Sequence, residues 1–182
     1  MRLVPSDGDR AASLRVVRGV AAAVGARAVN PKRTSYGALE IDIFAETKAD
    51  FETFLAAVAP LGRIEFARDL QEVQPHLEKE AAVAEAVSLF NAERFWEAHE
   101  VLESVWREAL GEEKTLLQGL ILVCAAFVHV QKDESGVAIG IIKRTLPKLF
   151  WAGSTYHGIP VASVRTRLQR MLDGGALSTF EL

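Results

Sequence analysis

The chain predicts an α+β protein in two parts. A small ferredoxin-like βαββαβ segment occupies residues 1–70, and an all-α five-helix bundle occupies residues 77–182, with a linker at 71–76. Three observations predict this. The hydrophobic period changes near Pro75, from mixed helical and alternating patterns before it to helical patterns alone after it. The run ALEIDIFA (38–45) alternates strictly, as a half-buried strand does. The apolar run from Leu116 to Val130 wraps all round a helix, which marks the central rod of a bundle.

In the first part, Arg2–Val4 is a short strand. Ala11–Val24 is a helix with Leu14, Val17, Ala21 and Val24 on one stripe, ended by Gly25. Arg27–Asn30 is a second strand, and Asn30–Gly37 (NPKRTSYG) reads as a basic hairpin loop. In ALEIDIFA, Leu39, Ile41 and Ile43 point one way, and Glu40 and Asp42 point to the exposed side. Thr47 caps a helix through Ala59 that turns Phe51, Phe54, Leu55 and Val58 inward. Gly62 opens a last alternating run, RIEFARDL. This order is that of the split βαβ arrangement.

In the second part, helices are predicted over Leu77–Phe90, Arg94–Leu110, Glu113–Gln131 and Ser135–Phe150, with a last one from Pro160 to Gly174–Gly175. The first turns Ala81, Ala84, Val87, Leu89 and Phe90 inward. Gly111 ends the second. Pro147 kinks or breaks the fourth, and Gly136 and Gly140 allow a neighbour to approach. Short connections make the helices antiparallel neighbours.

Composition is that of a soluble globular protein. The start MRLVPSDGDR has no signal-peptide pattern, and Leu116–Val130 reads as too short and too polar to cross a membrane. The single cysteine, Cys124, excludes an intrachain disulfide and fits a reducing cytoplasm, where it is an inert core thiol. Charge is uneven. Residues 1–35 hold seven Lys/Arg against two Asp, residues 36–113 six against eighteen acids, and residues 114–182 eight against four. Solvated surfaces of mixed sign explain this, as does a basic face that meets a partner.

Candidate chemistry concentrates in FNAERFWEAHEVLESVW (90–106). On a helical wheel Phe95, Ala98, Leu102 and Trp106 share the core face, His99 lies beside them, and Glu103 sits on its edge. Glu100 points outward and Glu97 lies nearly opposite the core. An antiparallel pairing about Gly111–Glu112 sets Trp106 against Gln118 and brings His129 level with Phe95. It forms two polar pairs, Glu103 with Gln118 and His99 with His129, at the margin of one groove. His99 and Glu103 are candidate acid–base residues. Trp96, Glu97, Glu100, Trp106, Gln118 and His129 are candidate ligand-binding residues. His99, Glu103 and His129 could chelate a divalent metal, but Glu103 and His129 fall roughly 12 Å apart, so a metal cofactor is not favoured. The competing structural reading is a buried polar network that fixes helix register. His76 and His157 read as surface and turn residues.

The residues Phe90-Asn91, Phe95-Trp96-Glu97-Ala98-His99-Glu100, Leu102-Glu103, Trp106, Gln118-Gly119-Leu120-Ile121, Ala125-Ala126, His129 and His157-Gly158-Ile159 resemble the helical domain-of-unknown-function family 309 over about residues 77–173. The resemblance implies an all-helical bundle of uncertain biochemistry, with Glu97, His99, Glu100, Glu103, Trp106, Gln118 and His129 as its polar motif positions. The chain departs at Glu93, where members often have glycine.

Three functions are weighed. The preferred one is a cytoplasmic binding or regulatory module that holds a small polar ligand. The first alternative is a hydrolase that uses His99 and Glu103, with or without a metal. The second is an RNA-associated protein working through Arg27, Lys32 and Arg33. The acidic exposed side of ALEIDIFA argues against nucleic acid. A homodimer is compatible with the sequence but does not follow from it.

Overall fold

Leu3, Leu39 and Ile41, the inward positions of the alternating runs, line one face of a four-stranded sheet and are fully buried there. The computed structural model describes residues 1–6, 9–69, 77–151, 153–174 and 176–182. The predicted linker at 71–76, with Pro75 and His76, lies outside the described residues. The chain divides into two compact units, Met1–Val73 and Gln74–Leu182.

The first unit runs β1 (Arg2–Pro5), α1 (Arg10–Ala23), β2 (Arg27–Arg33), β3 (Leu39–Phe44), α2 (Lys48–Val58), a 3₁₀ turn (Ala59–Leu61) and β4 (Gly62–Phe66). The strand order is β2-β3-β1-β4, and every neighbouring pair is antiparallel. Each helix therefore joins two strands that have a third between them, the connectivity of a split βαβ unit. Asp9 caps α1 through the Ala12 amide, and Thr47 and Asp50 form a reciprocal capping box on α2. Val17, Ala21, Phe54 and Val58 pack on the sheet.

The predicted hairpin loop is corrected. Asn30–Arg33 belongs to β2, and the turn is confined to Thr34–Ala38, closed by backbone bonds between Thr34 and Ala38 and from Gly37 to Thr34. Proline within a strand is tolerated because β2 is the sheet edge and bulges between Val29 and Lys32, where Asn30 takes a positive φ of 49°. The second correction concerns Glu40. It faces away from the core, as its alternation requires, yet it is buried in a row across all four strands. Lys32 and Arg2 are its cross-strand partners, each at 2.8 Å, and Arg2 lies over the Phe66 ring on β4. Lys32 is 5% exposed and also reaches Asp42 at 3.4 Å, so it is no free cation for a nucleic acid.

The second unit contains α3 (Lys79–Asn91), α4 (Phe95–Glu108), α5 (Gly111–Gln131), α6 (Ser135–Thr145), a 3₁₀ turn (Leu146–Lys148) and α7 (Val161–Leu172). Successive helices pack on one another, and α5 lies between α4 and α6. Phe90, Phe95, Phe127 and Phe180 form an aromatic cluster with centroids 4.8–5.7 Å apart. Two hairpins close with the same turn. Glu93 (φ 55°) and Asp133 (φ 61°) take the left-handed conformation, and Arg94 and Glu134 then return their amides to Leu89 and His129. A left-handed residue after the helix end is the usual glycine position, which accounts for the glycine that Glu93 replaces.

Several helix details are corrected. α3 buries Ala82, Val83, Ala86, Leu89 and Phe90, one position round from the predicted Ala81 and Ala84. Gly111 (φ 57°) opens α5 rather than ending α4. Pro147 breaks α6 into the 3₁₀ turn. The glycine that admits a neighbour is Gly119, where an added Cβ would lie 2.9 Å from Leu149 and 3.1 Å from Lys148; Gly136 and Gly140 face open space. By length and composition alone α5 is also long and apolar enough to cross a membrane, contrary to the sequence reading. It is more than half buried by its own bundle, which is consistent with a soluble protein.

Candidate functional site

α4 begins where its hairpin turn aims Phe95 into the aromatic cluster, and that anchor sets the rotation of every residue after it. Phe95, Ala98, Leu102 and Val105 are buried. His99 and Trp106 are partly buried at the margin, seven residues apart, so they share a face about 10.5 Å apart along the axis. The His99 ring lies flat on Trp96, with centroids 5.2 Å apart and planes 7° apart. Lys114 at the start of α5 places its Nζ 4.6 Å from the Trp106 centroid. The result is an aromatic band along α4, with a cation at one end.

Two nitrogens in this band are buried without a hydrogen-bond partner from the protein: His99 Nδ1 and Trp106 Nε1. Leaving such groups unsatisfied costs about 1–3 kcal/mol each, so each is a position where an added polar partner gains most. The indole N–H can only donate, whereas the imidazole nitrogen donates or accepts according to its tautomer.

The remaining candidates are placed as follows. Glu103 accepts from Arg107 at 3.3 Å, one turn on, and no hydrogen bond joins it to His99. The acid–base pair thus lacks its orienting carboxylate. Glu100 is exposed and accepts from Trp96 Nε1 at 3.0 Å. Glu97, expected opposite the core, is 7% exposed and takes two bonds from Arg94. The helical wheel considers α4 alone. The chain after α7 also returns to this end of the bundle, where Thr179 bonds Glu93 and the Leu182 amide bonds Asn91.

Neither predicted cross-helix pair forms. Gln118 is exposed and accepts from Lys148, and His129 bonds Glu134. Both α5 residues thus have partners away from α4: Glu134 precedes α6 and Lys148 follows it. The helices are not uniformly displaced: Trp106 meets Lys114 in place of Gln118, whereas Gln131 reaches the Glu93 carbonyl at the expected level. Among the described residues no group of three or more His, Cys, Asp or Glu is placed to share a metal ion, so His99, Glu103 and His129 do not form a ligand set.

Residues 83–141 match the family model described as domain of unknown function (DUF309). The second unit carries a DUF309 domain. All the candidate positions from Trp96 to His129 fall inside the matched stretch. A solved structure, a conserved hypothetical protein from Thermus thermophilus, is 31% identical over 50% of this chain and 94% of its own, with a TM-score of 0.43. No curated protein matches the chain.

A second polar cluster went unnoticed in the sequence. Glu113 accepts from Lys79 at 2.9 Å and from the Tyr156 hydroxyl at 2.9 Å. It ties α3, α5 and the segment before α7 together, and the Lys79 and Tyr156 hydrogen bonds outweigh its slight desolvation to hold its carboxyl below the ordinary range. Burial and Glu113 raise the Tyr156 hydroxyl well above its usual value, so it stays a donor. His157 stacks edge-on against Tyr156 at a positive φ of 43°, consistent with a turn role. Lys79 and Tyr156 lie 34 and 43 residues from Glu113, a spacing with no local sequence signal.

Proposed function

We propose that the DUF309 domain is a binding module, and that its ligand lies along the aromatic band of α4. The observation that carries this reading is the pair of unsatisfied nitrogens, His99 Nδ1 and Trp106 Nε1, on one helix face. A small polar ligand with oxygen acceptors would satisfy the indole donor, and the Trp96–His99 stack and Lys114 would supply an aromatic wall and a compensating cation. Binding is preferred to hydrolysis because Glu103 is engaged by Arg107 and, among the described residues, no carboxylate bonds His99 to orient it. The lone buried cysteine supports a cytoplasmic setting.

Thermal denaturation of the full chain against a panel of small carboxylates, amides and dipeptides tests the proposal. A ligand at 100-fold its Kd stabilises the folded state by about 2.7 kcal/mol. The expected result is a rise in Tm for the wild type that His99→Gln and Trp106→Phe both lose while keeping their own unliganded Tm close to it. Equal rises in all three proteins, or none with any compound, would reject the site.

A further inference from the structure

From Ser135 to Leu172 the chain has six Lys/Arg and no Asp or Glu. These residues fold into α6, the 3₁₀ turn and α7, so the cations gather on one part of the second unit. Among the described residues Lys143, Arg144, Arg165, Arg167 and Arg170 form no ion pair with a carboxylate. An open groove of about 540 Å³ runs between the 3₁₀ turn and α7. Leu146, Pro147 and Phe150 supply its apolar side, and Phe150 is 70% exposed. Arg165 and Arg170 supply the other side, with the Arg165 guanidinium 4.5 Å from the Phe150 centroid. Of the neutral polar groups there, Thr166 gives its hydroxyl hydrogen to the Ala162 carbonyl and Gln169 gives one amide hydrogen to Asp173. Recognition of charge falls to the two guanidinium groups, with the apolar surface beside them.

We infer that this groove is a docking surface for an acidic peptide segment that carries an apolar side chain. Arginine and aromatic residues are the types enriched where protein partners anchor. The carboxylates would pair with Arg165 and Arg170, and the apolar side chain would cover Leu146, Pro147 and Phe150. An extended polyanion fits less well. Within the second unit, residues 77–113 carry ten acidic and three basic side chains, so a long phosphate backbone leaving the basic part meets repulsion there, whereas a short segment stays within it. The apolar side of the groove also offers nothing to a phosphate group.

Fluorescence anisotropy of the full chain with a fluorescein-labelled peptide of repeating Glu-Glu-Leu tests the inference. Repeating Gln-Gln-Leu and Glu-Glu-Ser peptides serve as controls for charge and for the apolar anchor. Saturable binding is expected for Glu-Glu-Leu, at least about tenfold weaker for either control and for Arg165→Glu/Arg170→Glu or Phe150→Ser. The Kd should rise steeply between roughly 0.1 and 1 M salt, where the screening length falls from about 10 to 3 Å. The inference is overturned by no binding of Glu-Glu-Leu, by equal binding of the controls, or by tighter binding of oligothymidylate or anionic phospholipid vesicles through the same arginines. The peptide controls and the salt series need no variant, so a misfolded substitution leaves the test intact.

Discussion

The imidazole of His99 lies parallel to the indole of Trp96, 5.2 Å from centroid to centroid, on the margin of α4. Trp96 is 45% exposed while His99 Nδ1 is buried, so the stack covers the outer face of the imidazole and the bundle covers its nitrogen. An aromatic pair of this kind contributes about 0.5–1.5 kcal/mol beyond its buried area. Trp96→Ala is expected to lower stability by roughly that amount, and Trp96→Phe, which keeps a ring over His99, by less than half of it. Urea denaturation followed by circular dichroism checks both; equal losses would mean that the stack contributes nothing.

Glu93 sits in the left-handed region at φ 55°, a conformation that costs a non-glycine residue roughly 1–2 kcal/mol. Glu93→Gly removes that cost and gives up the contacts of a buried side chain, among them the 3.3 Å bond from Thr179. The expected outcome is a protein as stable as the wild type or more stable, by up to about 1 kcal/mol. Glu93→Val, β-branched in the same conformation, should be destabilised by more than about 1 kcal/mol. Chemical denaturation midpoints decide between them.

At Gly119 a methyl group would lie 2.9 Å from the Leu149 side chain and 3.1 Å from Lys148. Gly119→Ala therefore pushes the 3₁₀ turn off α5, at a cost of about 1–3 kcal/mol, and disturbs the Lys148–Gln118 bond. A normal helical preference for alanine would give the opposite sign, so the direction of the Tm shift is itself the readout.

The buried ionic row of the first unit makes its stability depend on pH at both ends. Burial works to raise the Glu40 pKa, but Lys32 and Arg2 outweigh it and hold the carboxyl below its ordinary 4.5. The contribution of Glu40 is thus fully present above pH 4.5 and is lost as pH falls through the lowered folded value. Burial works to lower the Lys32 pKa, but Glu40 and Asp42 outweigh it and hold the ammonium above 10.5. Its contribution is present below pH 10.5 and is lost as pH rises through the raised value. Glu40→Ala leaves two buried cations without their shared carboxylate and should cost about 3–5 kcal/mol at neutral pH. Amide hydrogen exchange of β1 and β3 across pH, in wild type and variant, measures this. Protection that is unchanged in the variant would show that the row is not stabilising.

What could be read from the sequence was whatever one element settles by itself. Leu39, Ile41 and Glu40 alternate as a strand must, Thr47 announces its cap, and Pro147 ends its helix for lack of an amide. What escaped depends on a second element. Pro31 lies in a strand only because β2 is an edge, and Glu40 is buried only because Lys32 and Arg2 flank it. The candidate site failed in the same way. His99 and Trp106 sit on the helix face expected of them, but His129 is taken by Glu134 before α6 and Gln118 by Lys148 after it. Glu97, read as opposite the core, is buried against the Arg94 guanidinium, a pairing that a hydrophobic wheel does not score.

Cys124 gives a test of the bundle core that needs no substitution. It lies inside α5, and burial pushes its thiol up to about 12. The thiolate is the reactive form, so at neutral pH the folded protein presents almost none of it, and the surrounding helices block access as well. Iodoacetamide should leave the native protein unmodified at about pH 7.5 and alkylate it stoichiometrically in denaturant. Because α5 is packed between α4 and α6, labelling at intermediate denaturant should follow loss of helical signal and not precede it. Mass spectrometry that found rapid native labelling would mean that the bundle opens locally around α5, and the orphaned nitrogens of His99 and Trp106 would then have water within reach.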